Sequence, residues 1–265
     1  TCTVLVGDSS PDRTRGMNIM HSCYACGALL CPFVIAAAGR AGAKAPLFLL
    51  ALLGAALWLA FALTPMEQGG RKAGGRIDWS FLRSVRFWLL MGLIFCQNAA
   101  ETSVTGWMVT YFKDSGIIAG VLSTYTVTVM WGATLVARLL IAFVFPFKNP
   151  RKAMVVMGAG CIVTYFGLML ARSQGAAILL LFLFAFSMAG MNPTAVAAAG
   201  RMTTVTSIAI LLPAASLGAI VMPWVIGMVA EAAGLAAGMA SNIVPCVGML
   251  VFAALVARLP EEEAV

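Results

Sequence analysis

Long apolar runs separated by short polar gaps dominate the chain. A membrane-crossing helix needs about 20 mostly apolar residues to cover about 30 Å of hydrocarbon. Eight runs of this kind occur, at residues 17–39, 46–64, 87–112, 119–146, 153–171, 176–199, 205–230 and 236–257. Because helices satisfy their own backbone hydrogen bonds in lipid, the pattern predicts an all-α integral membrane protein, a helical bundle with eight transmembrane helices.

Composition excludes two broad classes of protein. The chain is 62% hydrophobic and only 10% charged, whereas soluble domains have about 25% charged residues. The net charge of +7 does not indicate a nucleic-acid partner, because the basic residues lie in short gaps between apolar runs rather than on one basic face with aromatics. The expected surroundings are therefore a lipid bilayer.

The basic residues also predict an orientation. Cytoplasmic loops carry an excess of Lys and Arg. Twelve basic residues fall on one predicted side and four on the other, which places both termini of this segment in the cytoplasm. The twelve are Arg13, Arg15, Arg71, Lys72, Arg76, Arg83, Arg86, Lys148, Arg151, Lys152, Arg201 and Arg258, and the four are Arg40, Lys44, Lys113 and Arg172.

One long Gly-rich, basic gap divides the apolar runs into two before it and six after it. Six helices after a basic linker is half of a common transporter plan with two six-helix halves, so four helices are expected upstream of Thr1 and the chain is expected to be part of a longer protein. The predicted organisation is a cytoplasmic segment 1–16, two helices of an N-terminal half 17–64, a cytoplasmic linker 65–86 with a short surface helix at 78–84, a C-terminal half 87–258 and an acidic tail 259–265.

Glu101 is the most unusual residue in the apolar runs. A charged side chain at membrane depth costs at least about 2.5–3.5 kcal/mol on insertion scales. At 100° per residue, Gln97, Asn98 and Thr105 share its helix face. A carboxyl group among amides could bind a polar solute or carry a proton, and the alternative is a protonated structural Glu that bonds to a neighbouring helix.

Arg138 is the second charge inside a predicted span, in its cytoplasmic half. It shares a face with Trp131 and Thr134, and it cannot lose its charge. We therefore expect it to face a carboxylate, a cluster of carbonyl groups or a water-filled cavity. A brace between helices near the cytoplasmic gate is favoured over direct contact with a substrate.

The stretch "HSCYACGALLC" at residues 21–31 superficially resembles a metal or dithiol site. On a helix, His21 shares a face with Asn18, whereas Cys23 and Cys26 point roughly 140–160° away from it. Zinc prefers four tetrahedral ligands, and the chain has no second histidine. We therefore expect no metal and no cofactor, and we interpret the cysteines as small packing residues.

Five motifs occur in order along residues 17–258. They are "MNIMHSCYACGALLCP", "ETSVTGWMVTYF", "WGATLVARLL", "FSMAGMNPTAVA" and "ASLGAIVMPWVIGMVAEAAGL". In this order they resemble the fifth, seventh, eighth, tenth and eleventh helices of the fucose–galactose–glucose:proton symporter branch of the major facilitator superfamily. The first motif matches the family signature at Asn18, His21, Tyr24, Gly27, Ala28 and Pro32. Matches in the other motifs include Trp107, Pro193 and Trp224, whereas Ala137 replaces a glycine of the family pattern.

The resemblance implies a twelve-helix transporter with alternating access, of which this chain holds helices five to twelve. Its expected activity is non-enzymatic uptake of a sugar or related small polar solute, driven by protons, by a monomer in the plasma (bacterial inner) membrane. Arg138 would act in gating or charge pairing. The residues expected to bind substrate or couple protons are Asn18, His21, Gln97, Asn98, Glu101 and Trp131.

Two other interpretations stay open at this point. One is a membrane thiol oxidoreductase that uses Cys23 and Cys26, although reactive dithiols normally sit exposed, often at a helix N-terminus. The other is a truncated fragment with no autonomous activity, because half of the cavity would be missing.

Overall fold

The described chain is helical throughout. The computed structural model describes residues 2–42, 44–64, 79–118, 120–202 and 205–259, and these contain no strand. Short 3₁₀ turns occur at Ser80–Arg83 and Gly120–Tyr125. The α-helices are α1 Cys2–Ser9, α2 Arg13–Gly39, α3 Ala45–Leu63, α4 Val85–Ser115, α5 Thr126–Phe143, α6 Pro150–Leu170, α7 Gln174–Met188, α8 Met191–Met202, α9 Val205–Ser216, α10 Gly218–Ala233, α11 Leu235–Ser241 and α12 Ile243–Arg258. The all-α fold expected from the sequence is confirmed.

Seven stretches of helix within the described residues are long and apolar enough to cross a membrane. They are Arg13–Gly39, Ala45–Leu63, Leu122–Phe143, Pro150–Leu170, Gln174–Ala199, Ser207–Ala233 and Leu235–Arg258. The sequence predicted eight spans, and the one that is not among these seven, 87–112, corresponds to α4. With 31 residues α4 is long enough to cross, but Gln97, Asn98 and Glu101 near its centre make it less apolar.

Helix ends follow local sequence signals. Asn149 caps α6 through its side chain, which accepts from the Lys152 N–H at 3.0 Å, and Pro150 follows at the first helical position. Ser173 caps α7 in the same way through the Ala176 N–H. Gly116 follows the last residue of α4 and terminates the helix, because its φ of +67° is a left-handed conformation that glycine adopts without steric cost.

Three of the seven spans consist of two helices with a break between them. The breaks fall at Ala189–Gly190 between α7 and α8, at Leu217 between α9 and α10, and at Asn242 between α11 and α12. A proline has no N–H to donate to the carbonyl four residues before it. Pro193 and Pro245 therefore explain the first and third breaks, since each lies within four residues of its break.

α4 is the central helix of the larger unit. It packs against α8, α9, α10 and α12, and also contacts α5 and α11. Its buried side chains extend from Phe87 to Phe112, so neighbouring helices surround it along most of its length. Gln97 and Ser103, two polar residues of its central part, are consequently buried against other helices.

The chain forms two compact units, residues 1–26 with 78–265, and residues 27–77. In the smaller unit, α3 has no buried side chain. The predicted cytoplasmic segment 1–16 contains α1 and the start of α2. Most of the predicted linker 65–86 and of the predicted tail 259–265 lies outside the described residues, and where a surface helix was expected at 78–84 the structure has the 3₁₀ turn Ser80–Arg83.

Candidate functional site

Gln97 and Glu101 interact directly on α4. They are four residues apart, so they lie one helical turn apart on the same face. The Gln97 Nε2 donates a hydrogen bond to Glu101 Oε2. Gln97 is buried and Glu101 is half-buried, so the carboxyl group is held inside the bundle by an amide of its own helix.

Asn192 connects this pair to a second helix. From the first turn of α8, its Nδ2 donates to Gln97 Oε1 at 2.7 Å and to Asn98 Oδ1 at 3.1 Å. Asn98 in turn donates to the main-chain oxygen of Ala215, in the last turn of α9, at 3.3 Å. Gln97, Asn98, Glu101 and Asn192 form one hydrogen-bonded group, which we call the amide–carboxyl cluster.

The sequence reasoning missed Asn192. It lies in the motif "FSMAGMNPTAVA", in which the resemblance points to Pro193 and not to the residue before it. An amide directly before a proline within an apolar run was the signal that could have identified it. Thr105, by contrast, shares the face of Glu101 but donates to the main-chain oxygen of Glu101 at 2.9 Å on its own helix.

Arg138 contacts two main-chain carbonyl groups. The residue is 2% exposed, and its guanidinium donates from Nε to Ala189 O at 2.9 Å and from Nη1 to His21 O at 2.8 Å. The arginine thereby links α5 to α2 and to the break between α7 and α8. Glu101 is close enough to interact with it electrostatically.

Pro193 explains why the Ala189 carbonyl is available. In a continuous helix the N–H of residue 193 would donate to Ala189 O, but proline has no such hydrogen. The carbonyl would lack a helical partner inside an apolar bundle, where an unsatisfied polar group is costly. The charged donor of Arg138 satisfies it, and the next residues place Asn192 against α4.

The predicted residues of α2 occupy different surroundings. His21 is half-buried and its main-chain oxygen receives the bond from Arg138. Asn18 is fully buried, and its Nδ2 donates to Thr14 O on the same helix at 2.9 Å. Neither side chain hydrogen-bonds to the amide–carboxyl cluster in the part of the chain that the structure describes.

Trp131 meets an aromatic residue that the sequence analysis did not assign to the site. Its ring lies edge-on to that of Tyr24, with ring centroids 5.4 Å apart. Tyr24 is 66% exposed and Trp131 is half-buried. The pair presents a partly open aromatic surface between α2 and α5.

Among the described residues, no three or more His, Cys, Asp or Glu side chains are grouped so that they could hold a metal ion. Cys23 is exposed, Cys26 is half-buried, and both are free thiols. The site offers amide donors and acceptors, a carboxyl group and an aromatic pair. This chemistry suits reversible binding of a polar solute.

Comparison with protein families gives a match. The sequence profile described as Major Facilitator Superfamily matches residues 1–212 of the 265. The amide–carboxyl cluster, Arg138 and the Tyr24–Trp131 pair all lie inside that range, whereas α10 to α12 lie beyond it. No curated protein matches the chain.

Proposed function

Because the chain belongs to the Major Facilitator Superfamily, an integral-membrane family of secondary transporters for small solutes, we propose that it transports a sugar or a related small polar solute together with protons, by alternating access. We base the expected class of solute on the motifs that resemble the fucose permease-like branch. We further propose that the transporter is monomeric, resides in the plasma (bacterial inner) membrane and has both ends of this segment in the cytoplasm.

The observation that carries the proposal is the bridge from Asn192 to Gln97 and Asn98 beside Glu101. Polar groups at membrane depth are costly and usually serve a pathway or a binding site. Amide groups donate and accept hydrogen bonds at once, which matches hydroxyl groups that do the same. A polyhydroxylated solute could therefore exchange its bonds to water for bonds to this cluster.

The helix breaks support the same location for the site. In many secondary transporters, substrate and ion sites are formed where transmembrane helices are discontinuous near the middle of the bilayer. Here Asn192 follows the α7–α8 break, and Asn98 bonds to the main chain beside the α9–α10 break. Two of the three breaks thus contribute to the amide–carboxyl cluster.

Each residue has a proposed role. Gln97, Asn98 and Asn192 bind solute hydroxyl groups, and Trp131 with Tyr24 packs on an apolar face of the solute. Glu101 takes up and releases the coupled proton. Arg138 holds the helix arrangement and acts in gating or charge pairing. Asn18 and His21 are proposed to face the cavity from the other half of the transporter.

The test is uptake by the full-length protein in proteoliposomes under an imposed pH gradient. Glu101→Gln should abolish proton-driven accumulation of labelled hexoses while leaving solute exchange measurable, because the amide binds solute but carries no proton. Glu231→Gln, at an exposed carboxylate near the end of α10, is the matched control and should behave like wild type.

Two outcomes would contradict separate parts of the proposal. Accumulation with unchanged pH dependence in the Glu101→Gln protein excludes a role in carrying protons. Failure of the wild-type protein to move any sugar or polyol, while it moves another class of solute, excludes the proposed substrate class and leaves the transporter assignment intact.

A further inference from the structure

The segment that leads into α4 has a defined structure of its own. A 3₁₀ turn at Ser80–Arg83 is closed by bonds from the Leu82 N–H to Trp79 O at 3.1 Å and from the Ser84 N–H to Phe81 O at 3.0 Å. The indole N–H of Trp88 donates back to Leu82 O at 2.8 Å. This last bond fixes the first turn of α4 to the 3₁₀ turn.

The segment has two buried aromatic residues and two exposed ones. Phe81 is buried, with its ring centroid 4.9 Å from that of Phe87, and it attaches the turn to the bundle. Trp79 and Trp88 remain 53% and 49% exposed, and Val85 between them is 64% exposed. We call Trp79–Trp88 the entry segment. Its outer face is apolar, and the hydrogen bonds described above define its conformation.

Positive charge borders this apolar face. Arg83 is exposed and Arg86 is half-buried. The sequence immediately before the entry segment adds Arg71, Lys72 and Arg76 with a single acid, Asp78, so residues 71–86 carry a formal charge of +4. Clusters of four to eight basic residues next to a membrane-crossing helix attract anionic lipid headgroups.

The length of α4 places the entry segment at the level of those headgroups. At about 1.5 Å per residue, its 31 residues extend for about 46 Å, compared with about 30 Å for the hydrocarbon core. The ends of α4 therefore project into the interfacial region. Tryptophan is enriched at that level because its ring is apolar while its N–H is polar.

We propose that the entry segment binds an acidic glycerophospholipid, with Arg83 on the headgroup phosphate and with Trp79 and Trp88 among the upper acyl carbons. Exposed indole rings and an exposed guanidinium in one short segment fit an amphipathic anion better than a free ion, which has no apolar part to cover the tryptophans. The interaction does not depend on which solute is transported, and it would fasten the start of the central helix to the membrane surface.

The experiment compares lipid binding by the full-length protein and its variants. The protein is reconstituted in phosphatidylcholine nanodiscs, and binding of added phosphatidylglycerol is measured by native mass spectrometry and by titration with a fluorescent phosphatidylglycerol. Arg83→Gln should lower the affinity about fivefold, and Trp79→Ala should also lower it with the charge unchanged. Arg258→Gln, at an exposed arginine ending α12, removes the same charge elsewhere and should change it less than twofold.

Each other outcome overturns the proposal. Equal losses in Arg83→Gln and Arg258→Gln would show attraction by net charge alone. Wild-type affinity for phosphatidylglycerol in Arg83→Gln would contradict the contact of the arginine with the headgroup. Wild-type affinity in Trp79→Ala would contradict the contact of the tryptophan with the acyl chains. Competition by inorganic phosphate at concentrations similar to the lipid would show a site for a free anion.

Discussion

Arg138 donates to the carbonyl oxygen of Ala189 at 2.9 Å, the carbonyl that Pro193 leaves without its helical donor. A side chain of α5 thereby completes the hydrogen bonding of the α7–α8 break. The same guanidinium also bonds to His21 O on α2 at 2.8 Å. Arg138 thus acts on the amide–carboxyl cluster through main-chain atoms, by fixing the position from which Asn192 reaches α4.

Arg138→Gln should destabilise the protein and its site together. The substitution removes two hydrogen bonds from a charged donor, each worth about 1.5–3 kcal/mol, and leaves the carbonyl groups of Ala189 and His21 without that donor. We expect the free energy of unfolding in SDS titrations to fall by about 3–6 kcal/mol. Solute affinity should also fall, because Asn192 follows the break.

Pro193→Ala provides the control for that mechanism. Alanine restores an N–H that can donate to Ala189 O, so the double variant should lose about 1 kcal/mol less than the sum of the single changes. Strict additivity of the two substitutions would show that the Arg138–Ala189 bond does not depend on the proline.

Asn192→Ala should weaken transport more than folding. It removes the donors to Gln97 and Asn98, and the loss of about 1.4 kcal/mol of binding corresponds to a roughly tenfold higher KM for uptake. Thr164→Ala is the comparison, because that hydroxyl donates only within α6, to Gly160 O at 2.6 Å and more weakly to Cys161 O. A KM within twofold of wild type in Asn192→Ala would remove Asn192 from the solute site.

The contrast between Glu101 and Asn192 shows what the sequence could predict. Apolar runs reveal membrane helices because lipid imposes a length and a composition, and Glu101 stands out because a charge there is costly. Helix periodicity also placed Gln97 and Asn98 beside it. Asn192 comes from a distant helix, so its contact with α4 depends on tertiary packing that one sequence does not display.

The sequence predicted carbonyl groups among the possible partners of Arg138, but it could not identify which ones, for a different reason. They are main-chain oxygens of Ala189 and His21, which are present at every position and give no signal in the sequence. The run 176–199 likewise appeared as one span, because Pro193 removes a single hydrogen bond without adding a polar side chain. A break of that kind interrupts the helix while leaving the hydrophobic pattern intact.

The exposed and half-buried thiols of α2 give a test of the redox alternative. Cys23 and Cys26 are free, and their replacement by serine should leave solute uptake within twofold of wild type, because neither hydrogen-bonds to the amide–carboxyl cluster in the described structure. We also expect the wild-type protein to show no thiol–disulfide exchange activity. Loss of a measurable redox activity in Cys23→Ser/Cys26→Ser would support the oxidoreductase interpretation.

Gly218 should tolerate no side chain, because it lies where α10 begins against α4. A Cβ there would lie 2.1 Å from the main-chain oxygen of Phe95, and a backbone atom cannot move aside as the end of a flexible side chain can. Gly218→Ala should therefore lower the apparent Tm in detergent by several degrees and displace the start of α10 from α4.

Gly106→Ala is the matched control on α4 itself. A Cβ at Gly106 would have no atom within 4 Å, and alanine is favoured over glycine in a helix by about 1 kcal/mol. This variant should unfold at the wild-type temperature or slightly above it. If Gly218→Ala is as stable as Gly106→Ala, then α10 does not pack against α4 as closely as the structure shows, and the contact of Asn98 with Ala215 just before it would lose its support.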